Sequence, residues 1–145
     1  MRPPSPDALQ RLVDFYETLT PASLGAVREV YAADASFRDP FNDVRGSDEV
    51  QRVLLHMFEN LSAAKFVIRE AVADGDQAFL VWDFHFRMRR WKPDAQRKIH
   101  GSSHVRFDGQ GRVSYHRDYW DAAEEVYDKI PLLGSVLRAI RRKMG

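Results

Sequence analysis

The strongest constraint in this chain is a change of hydrophobic period near Ala64. Before it, apolar residues recur every three or four positions, the spacing of a helix face. After it they alternate, the spacing of a half-buried strand. Three turn signals interrupt the alternating part: Asp74-Gly75-Asp76, Lys92-Pro93-Asp94 and Asp108-Gly109-Gln110-Gly111. They delimit four strands, at about 64–73, 77–91, 96–107 and 112–120. Turns this short join antiparallel neighbours. Helices followed by a long meander predict an α+β chain in which the helices cover one face of a strongly curved sheet.

The first helix is expected after Ser5-Pro6-Asp7, with Leu9, Leu12, Val13, Tyr16 and Leu19 on its apolar face, and Thr20-Pro21 breaks it. Ser23 can cap a short second helix that turns Leu24, Val27, Val30 and Tyr31 inward. A short strand is expected from Ala35 to Phe41, because Pro40 disfavours helix at Asp39. Ser47 should cap a third helix with Val50, Val53, Leu54, Met57, Phe58 and Leu61 as its buried stripe. Beyond Trp120, Asp121 should cap an amphipathic helical extension from about residue 122, interrupted at Pro131. Residues 1–145 otherwise read as one domain, with no repeat, linker or low-complexity segment.

Composition narrows the chemistry. A chain of 145 residues can bury a core without disulfides or a structural metal. With no cysteine, thiolate ligands and cysteine nucleophiles are absent. The histidines show no metal-ligand spacing, and no glycine-rich phosphate loop or serine nucleophile elbow is present, so no metal and no cofactor is expected. A net charge of +1 argues against a nucleic-acid partner. Arg87, Arg89, Arg90, Lys92, Arg97 and Lys98 gather at one hairpin tip and read as a solvated basic patch. The opening Met1-Arg2-Pro3-Pro4-Ser5-Pro6 has no apolar run after its Arg, so the expected location is cytoplasmic.

Two places could carry chemistry. In the last strand, Ser114, His116, Asp118 and Trp120 share one face, and Val113, Tyr115, Arg117 and Tyr119 the other. If the first face lines a cavity, it sets polar groups on an aromatic wall, as small-molecule pockets do. A one-residue change of register swaps the faces, so a wet strand face remains the alternative. Asp39, after Phe37 and before Pro40-Phe41, is the second place. It reads either as a turn aspartate bonded to its own backbone or as a carboxylate base at the mouth of an apolar cavity.

The run Tyr31-Ala32-Ala33-Asp34-Ala35-Ser36-Phe37-Arg38-Asp39-Pro40-Phe41, followed by Gly46 and a helix, resembles the segment around the catalytic aspartate of bacterial ketosteroid isomerases. The run from Val105 through Asp108-Gly109-Gln110-Gly111 to Tyr119-Trp120 resembles that family's last hairpin. The order of elements over about residues 8–121 is similar to that of the nuclear transport factor 2-like superfamily, which includes the SnoaL-like polyketide cyclases. The resemblance implies a cone-shaped, curved antiparallel sheet wrapped by N-terminal helices. It puts the base on Asp39 and an oxyanion-hole tyrosine on Tyr16. The ketosteroid isomerases' second donor, a carboxylic acid kept neutral, is replaced here by Ser103. An aspartate at position 118 is closer to the cyclase pattern, in which such a residue is the acid/base. Inside the cone the resemblance places Trp82, Phe84, Phe86 and Trp120 with Ser103, His116, Asp118, Asp39 and Tyr16. His85, His100 and His104 fall on the outer sheet face, which in this family meets a second subunit, so a homodimer is implied.

The reading that follows is an enzyme without cofactor, of isomerase, cyclase or dehydratase type. Asp39 or the Asp118–His116 pair would take a proton beside the carbonyl of a small apolar compound, and Tyr16 and Ser103 would donate to the oxyanion. The alternative is a non-catalytic binding module that holds a lipid-like ligand or a protein partner in the same cone. The C-terminal stretch, with Ile130, Leu132, Leu133, Val136, Leu137 and Ile140 against Arg138, Arg141, Arg142 and Lys143, would pack over the cone's mouth or against a neighbour. Its second reading is a peripheral contact with an anionic membrane.

Overall fold

The computed structural model describes residues 6–121, 142 and 143. The first helix, α1 (Pro6–Glu17), opens on a proline, whose fixed φ and missing N–H suit a first turn. It buries Ala8, Leu12, Phe15 and Tyr16, a stripe turned slightly from the expected one, since Leu9 and Val13 are only partly covered. Thr20 and Ser23 bond each other's backbone around Pro21 and start a 3₁₀ turn, Pro21–Ala26, which runs into α2 (Val27–Val30). The strand β1 (Tyr31–Arg38) therefore begins at Tyr31, four residues earlier than expected, and Asp39 lies just past its end. A short strand with no counterpart in the sequence reading, β2 (Asp43–Arg45), folds back on it.

The cap of α3 (Ser47–Asn60) is Gly46, with Ser47 in the first turn and no side-chain cap bond. Gly46 has a φ of 105°, which glycine alone adopts without strain, and this sharp turn out of β2 displaces the expected Ser47 cap by one residue. The helix then lays Val50 and Leu54 into the core, with Val53, Met57 and Phe58 packed beside them.

The meander follows as read: β3 (Leu61–Asp74), β4 (Gln77–Met88), β5 (Arg97–Phe107) and β6 (Val113–Tyr119). The six strands form one curved, unclosed sheet in the order β2-β1-β6-β5-β4-β3. All neighbours are antiparallel except β1 and β6, which the long connection makes parallel. Two register shifts in β3, between Ser62 and Lys65 and between Ile68 and Glu70, add local twist and help curl the sheet around the helices. One expected face assignment fails. Tyr115 pairs with Arg106 while Val113 pairs with Phe107, so Ser114 is a bulge. The bulge turns Val113 into the core, away from the face of Tyr115, while His116 stays inward.

The outer face of the sheet carries its own electrostatics. Asp83 is buried there, opposite His100 on β5, and its carboxylate receives His100 Nδ1 at 2.7 Å and Arg69 Nε at 2.8 Å. These bonds, His100's first and Arg69's second, hold the carboxyl down at about 2 against the opposing cost of burial. The native state thus prefers the ionised form more than the unfolded chain does. Its stabilisation is complete above about pH 4 and is lost as pH falls through 4 towards 2. The partner side chains are 55% and 60% exposed, so the stabilisation is at most about 1–2 kcal/mol. Urea titrations of wild type and Asp83→Asn should show a stability gap at pH 6 that closes by pH 2; a gap independent of pH would refute this assignment. Near it, His104 stacks on Phe79 and donates to Gln77 Oε1 from Nε2, and burial, then Arg106, holds it below the usual histidine value.

The expected C-terminal extension, its Asp121 cap and its membrane reading fall beyond residue 121 and so outside the described residues. Among those described, no helix is long and apolar enough to cross a membrane.

Candidate functional site

The concave side of the sheet, α1 and α3 enclose a cavity of about 550 Å³. All nine expected site residues line it: Tyr16, Asp39, Ser103, His116 and Asp118, with Trp82, Phe84, Phe86 and Trp120 as aromatic wall. Helix α3 adds Val53, Leu54 and Met57, so most of the surface is apolar. Phe84 stacks between Phe66 and Phe86, which fixes a flat aromatic side to the cone.

The polar groups are not scattered over this wall. They form one hydrogen-bonded chain. Tyr16 Oη lies 2.5 Å from Tyr31 Oη, and Tyr31 Oη lies 2.7 Å from His116 Nδ1. His116 Nε2 lies 2.6 Å from Asp118 Oδ1, which also accepts from Ser103 Oγ at 2.5 Å. Ser103 in turn accepts from Trp82 Nε1 at 2.8 Å. Two local features make this possible. The parallel pairing of β1 with β6 sets Phe37 beside His116, with their rings 4.7 Å apart and the Tyr31 ring stacked nearby. Gly101, opposite Trp82, leaves room for the indole to lie across β5. A Cβ there would stand 2.6 Å from Trp82 Cη2.

The chain has two ends in the cavity, Tyr16 and Asp118, whereas Tyr31 is sealed behind them. With Asp118 ionised and His116 neutral, every donor points the same way: Tyr16 to Tyr31, Tyr31 to Nδ1, and Nε2–H to the carboxylate. Ser103 spends its single proton on Asp118, so it orients the carboxylate and has none left for a substrate oxygen. Among the described residues nothing donates to Asp118 Oδ2, and the side chain is 17% exposed. That oxygen is open to a ligand.

Asp39 is differently employed. Its Oδ1 accepts from the backbone N–H groups of Phe41 and Asn42, both at 2.7 Å, and the Asn42 side chain bonds both carboxylate oxygens. This is the turn-aspartate arrangement. Asp39 lines the cavity, but its lone pairs hold the turn that carries Phe41 onto Trp120.

Burial pushes both tyrosine hydroxyls far above the usual phenol value. For Tyr16 the Asp118 charge adds to burial while the Tyr31 bond opposes it, and for Tyr31 the Tyr16 contact adds. Both therefore stay protonated as donors at any working pH. The folded state holds these protons when unfolded tyrosines, near 10, release theirs. Their stabilisation is intact below pH 10 and is lost as pH rises beyond it, by about 2.7 kcal/mol per pH unit for the two together. Denaturation followed from about pH 9 to 11.5 should be nearly flat below 10 and approach this slope above it, reduced to about half in Tyr31→Phe. No change of slope in the variant would contradict the assignment.

Tyr31 is the member of the site that the sequence did not expose. It was expected on the inner side of a short helix, and only a β-strand assignment reaching back to Val30-Tyr31 would have aimed it at the last strand. Arg97, at the hairpin tip, also lines the cavity. Among the described residues no group of three or more His, Asp or Glu could hold a metal ion.

Residues 12–116 match the sequence profile of the SnoaL-like domain. The chain belongs to the SnoaL-like family. Solved structures repeat the fold at low sequence identity. A hypothetical protein with a ketosteroid isomerase-like fold from Catenulispora acidiphila, in complex with trimethylamine, superposes with a TM-score of 0.71 and 15% identity over 88% of this chain and 94% of its own. A protein assigned as a SnoaL-like polyketide cyclase from Shewanella denitrificans gives 0.71 and 19% over 87% and 98%. An LEH-like epoxide hydrolase from M. tuberculosis gives 0.69 and 17% over 93% and 96%. A search of curated proteins finds no match to this SnoaL-like chain. At these identities the likeness establishes the nuclear transport factor 2-like fold, and the chemistry of the cavity has to be argued from its own residues.

Proposed function

We propose that this SnoaL-like protein is an enzyme of proton transfer, acting on a small apolar carbonyl compound held in the cone. The observation that carries the reading is the chain from Tyr16 to Asp118, whose two ends face one apolar cavity. Asp118 Oδ2 takes the proton from the carbon beside the carbonyl. The Asp118–His116 pair then holds one proton more than before. Nε2–H still donates to Oδ1 and Tyr31 still donates to Nδ1, while Tyr16 turns its own hydroxyl proton from Tyr31 towards the cavity. The proton is thus held at one end of the chain while a hydroxyl meets the developing oxyanion at the other. Returning the proton to a different carbon gives an isomerase; bond formation or loss of water from the enolate gives a cyclase or dehydratase. Asp118 with His116 is the base in this reading, and Asp39 shapes the mouth.

The same reading keeps a homodimer through the outer sheet face. Val72 and Phe79 stand opposite each other there and are 61% and 43% exposed. Catalysis is tested with an apolar ketone, 2-decalone, in D₂O. Wild type should accelerate exchange of the α-protons, followed by NMR, well beyond the buffer rate. A ketone that binds without faster exchange would overturn the proposal in favour of a non-catalytic binding module.

A further inference from the structure

Arg97 stands at the start of β5, opposite Phe86, and lines the same cavity. Two of its neighbours at the hairpin tip have partners: Arg87 bonds Gln96, and Arg89 bonds the Phe58 carbonyl. Arg97 has none. Its Nε is buried without a hydrogen-bond partner, and no ion pair or hydrogen bond engages its guanidinium among the described residues. An unmade bond from a buried charged donor costs more than from a neutral one, and such orphans are rare enough in native proteins to require a reason. The guanidinium is not loosely placed, because its Cζ lies over the Trp91 ring, 4.5 Å from its centre, a cation–π contact that holds the group while leaving its N–H donors unspent.

We propose that Arg97 is a binding site for an oxyanion on the ligand, a carboxylate or a phosphate. A planar fork with two or more free donors is the group that recognises these anions bidentately. Ser103 lies six positions beyond Arg97 along β5, which at strand rise is roughly 20 Å. One cavity spans both, so the ligand is an extended apolar body with its anionic head at Arg97 and its reacting carbon near Asp118. The two acids of the cavity do not compete for Arg97. Asp118 is bonded to His116 and Ser103, and Asp39 to its own turn. The ligand class rests on the cavity being the binding site of the proposed enzyme. It does not rest on Asp118 being the base.

Isothermal titration of the full chain with dodecanoate, dodecyl phosphate and dodecanol reads the head group alone. At least one oxyanion should bind wild type about tenfold or more tighter than the alcohol, as expected for charged hydrogen bonds. The tighter of the two identifies the head-group chemistry. Arg97→Gln should erase the gap while leaving dodecanol within about twofold, and Arg97→Lys, which keeps the charge but not the fork, should retain part of it. Equal binding of all three compounds to wild type, a gap that survives in Arg97→Gln, or binding of none would overturn the proposal. The readout needs no turnover. Loss of the gap therefore leaves the role of Asp118 standing, and a failed exchange assay leaves that of Arg97 standing.

Discussion

Asp118→Asn should lower the rate of α-proton exchange about 10²- to 10⁴-fold, the usual contribution of a positioned general base. Asparagine keeps the size and can still accept from His116 and Ser103, so the cavity should hold its shape. What it lacks is a carboxylate oxygen able to take a proton, and Oδ2 is the one that no other described residue uses. The same substitution at Asp39 should change the rate only a few-fold. That carboxylate spends its lone pairs on Phe41 and Asn42, so its loss loosens the mouth rather than the base. The contrast between the two variants matters more than either rate. Binding of 2-decalone, measured separately, should survive in both. If Asp39→Asn shows the large loss and Asp118→Asn the small one, the roles are reversed.

Tyr16→Phe should cost about 10²- to 10³-fold, as the loss of one oxyanion donor does elsewhere. The ring would keep its edge-on contacts with Phe15 and Phe66, so packing should persist. Tyr31→Phe separates a donor's own effect from its support. Tyr31 does not reach the cavity, yet its removal cuts Tyr16 off from His116 and leaves a buried imidazole nitrogen unpaired. If the chain acts as a unit, Tyr31→Phe lowers exchange while leaving ketone affinity near wild type, and adding it to Tyr16→Phe costs little more. Full additivity of the two losses would mean that Tyr16 acts alone.

The alternation in β4 and β5 made much of this site legible. It put Trp82, Phe84 and Phe86 on one face of β4 and Ser103 with Ile99 on one face of β5, because nothing interrupts those strands, and the resemblance turned both faces inward. In β6 the same rule placed His116 and Asp118 correctly and failed at Val113, because a bulge at Ser114 is a property of the pairing with β5. Tyr31 was hidden for a different reason. Its role depends on a parallel pairing across more than eighty residues, which no local period encodes. Asp39 was legible as a candidate, but a turn aspartate and a catalytic one before a proline read alike. Their difference lies in where the lone pairs go, and only the bonds to Asn42 show that. Arg97 looked like one of several solvated charges at the hairpin tip, yet the alternation of β5 sets it on the face of Ile99, Gly101 and Ser103, opposite Phe86.

The chain from Tyr16 to Asp118 is tested most directly by the ¹⁵N spectrum of the His116 imidazole. In the resting protein Nε2 should carry the proton and Nδ1 should be an unprotonated acceptor of the Tyr31 hydroxyl. Asp118→Asn and Tyr31→Phe should each shift the resonance of the nitrogen they face. A resting imidazole protonated on Nδ1 alone, or one indifferent to both substitutions, would contradict the link between base and donor.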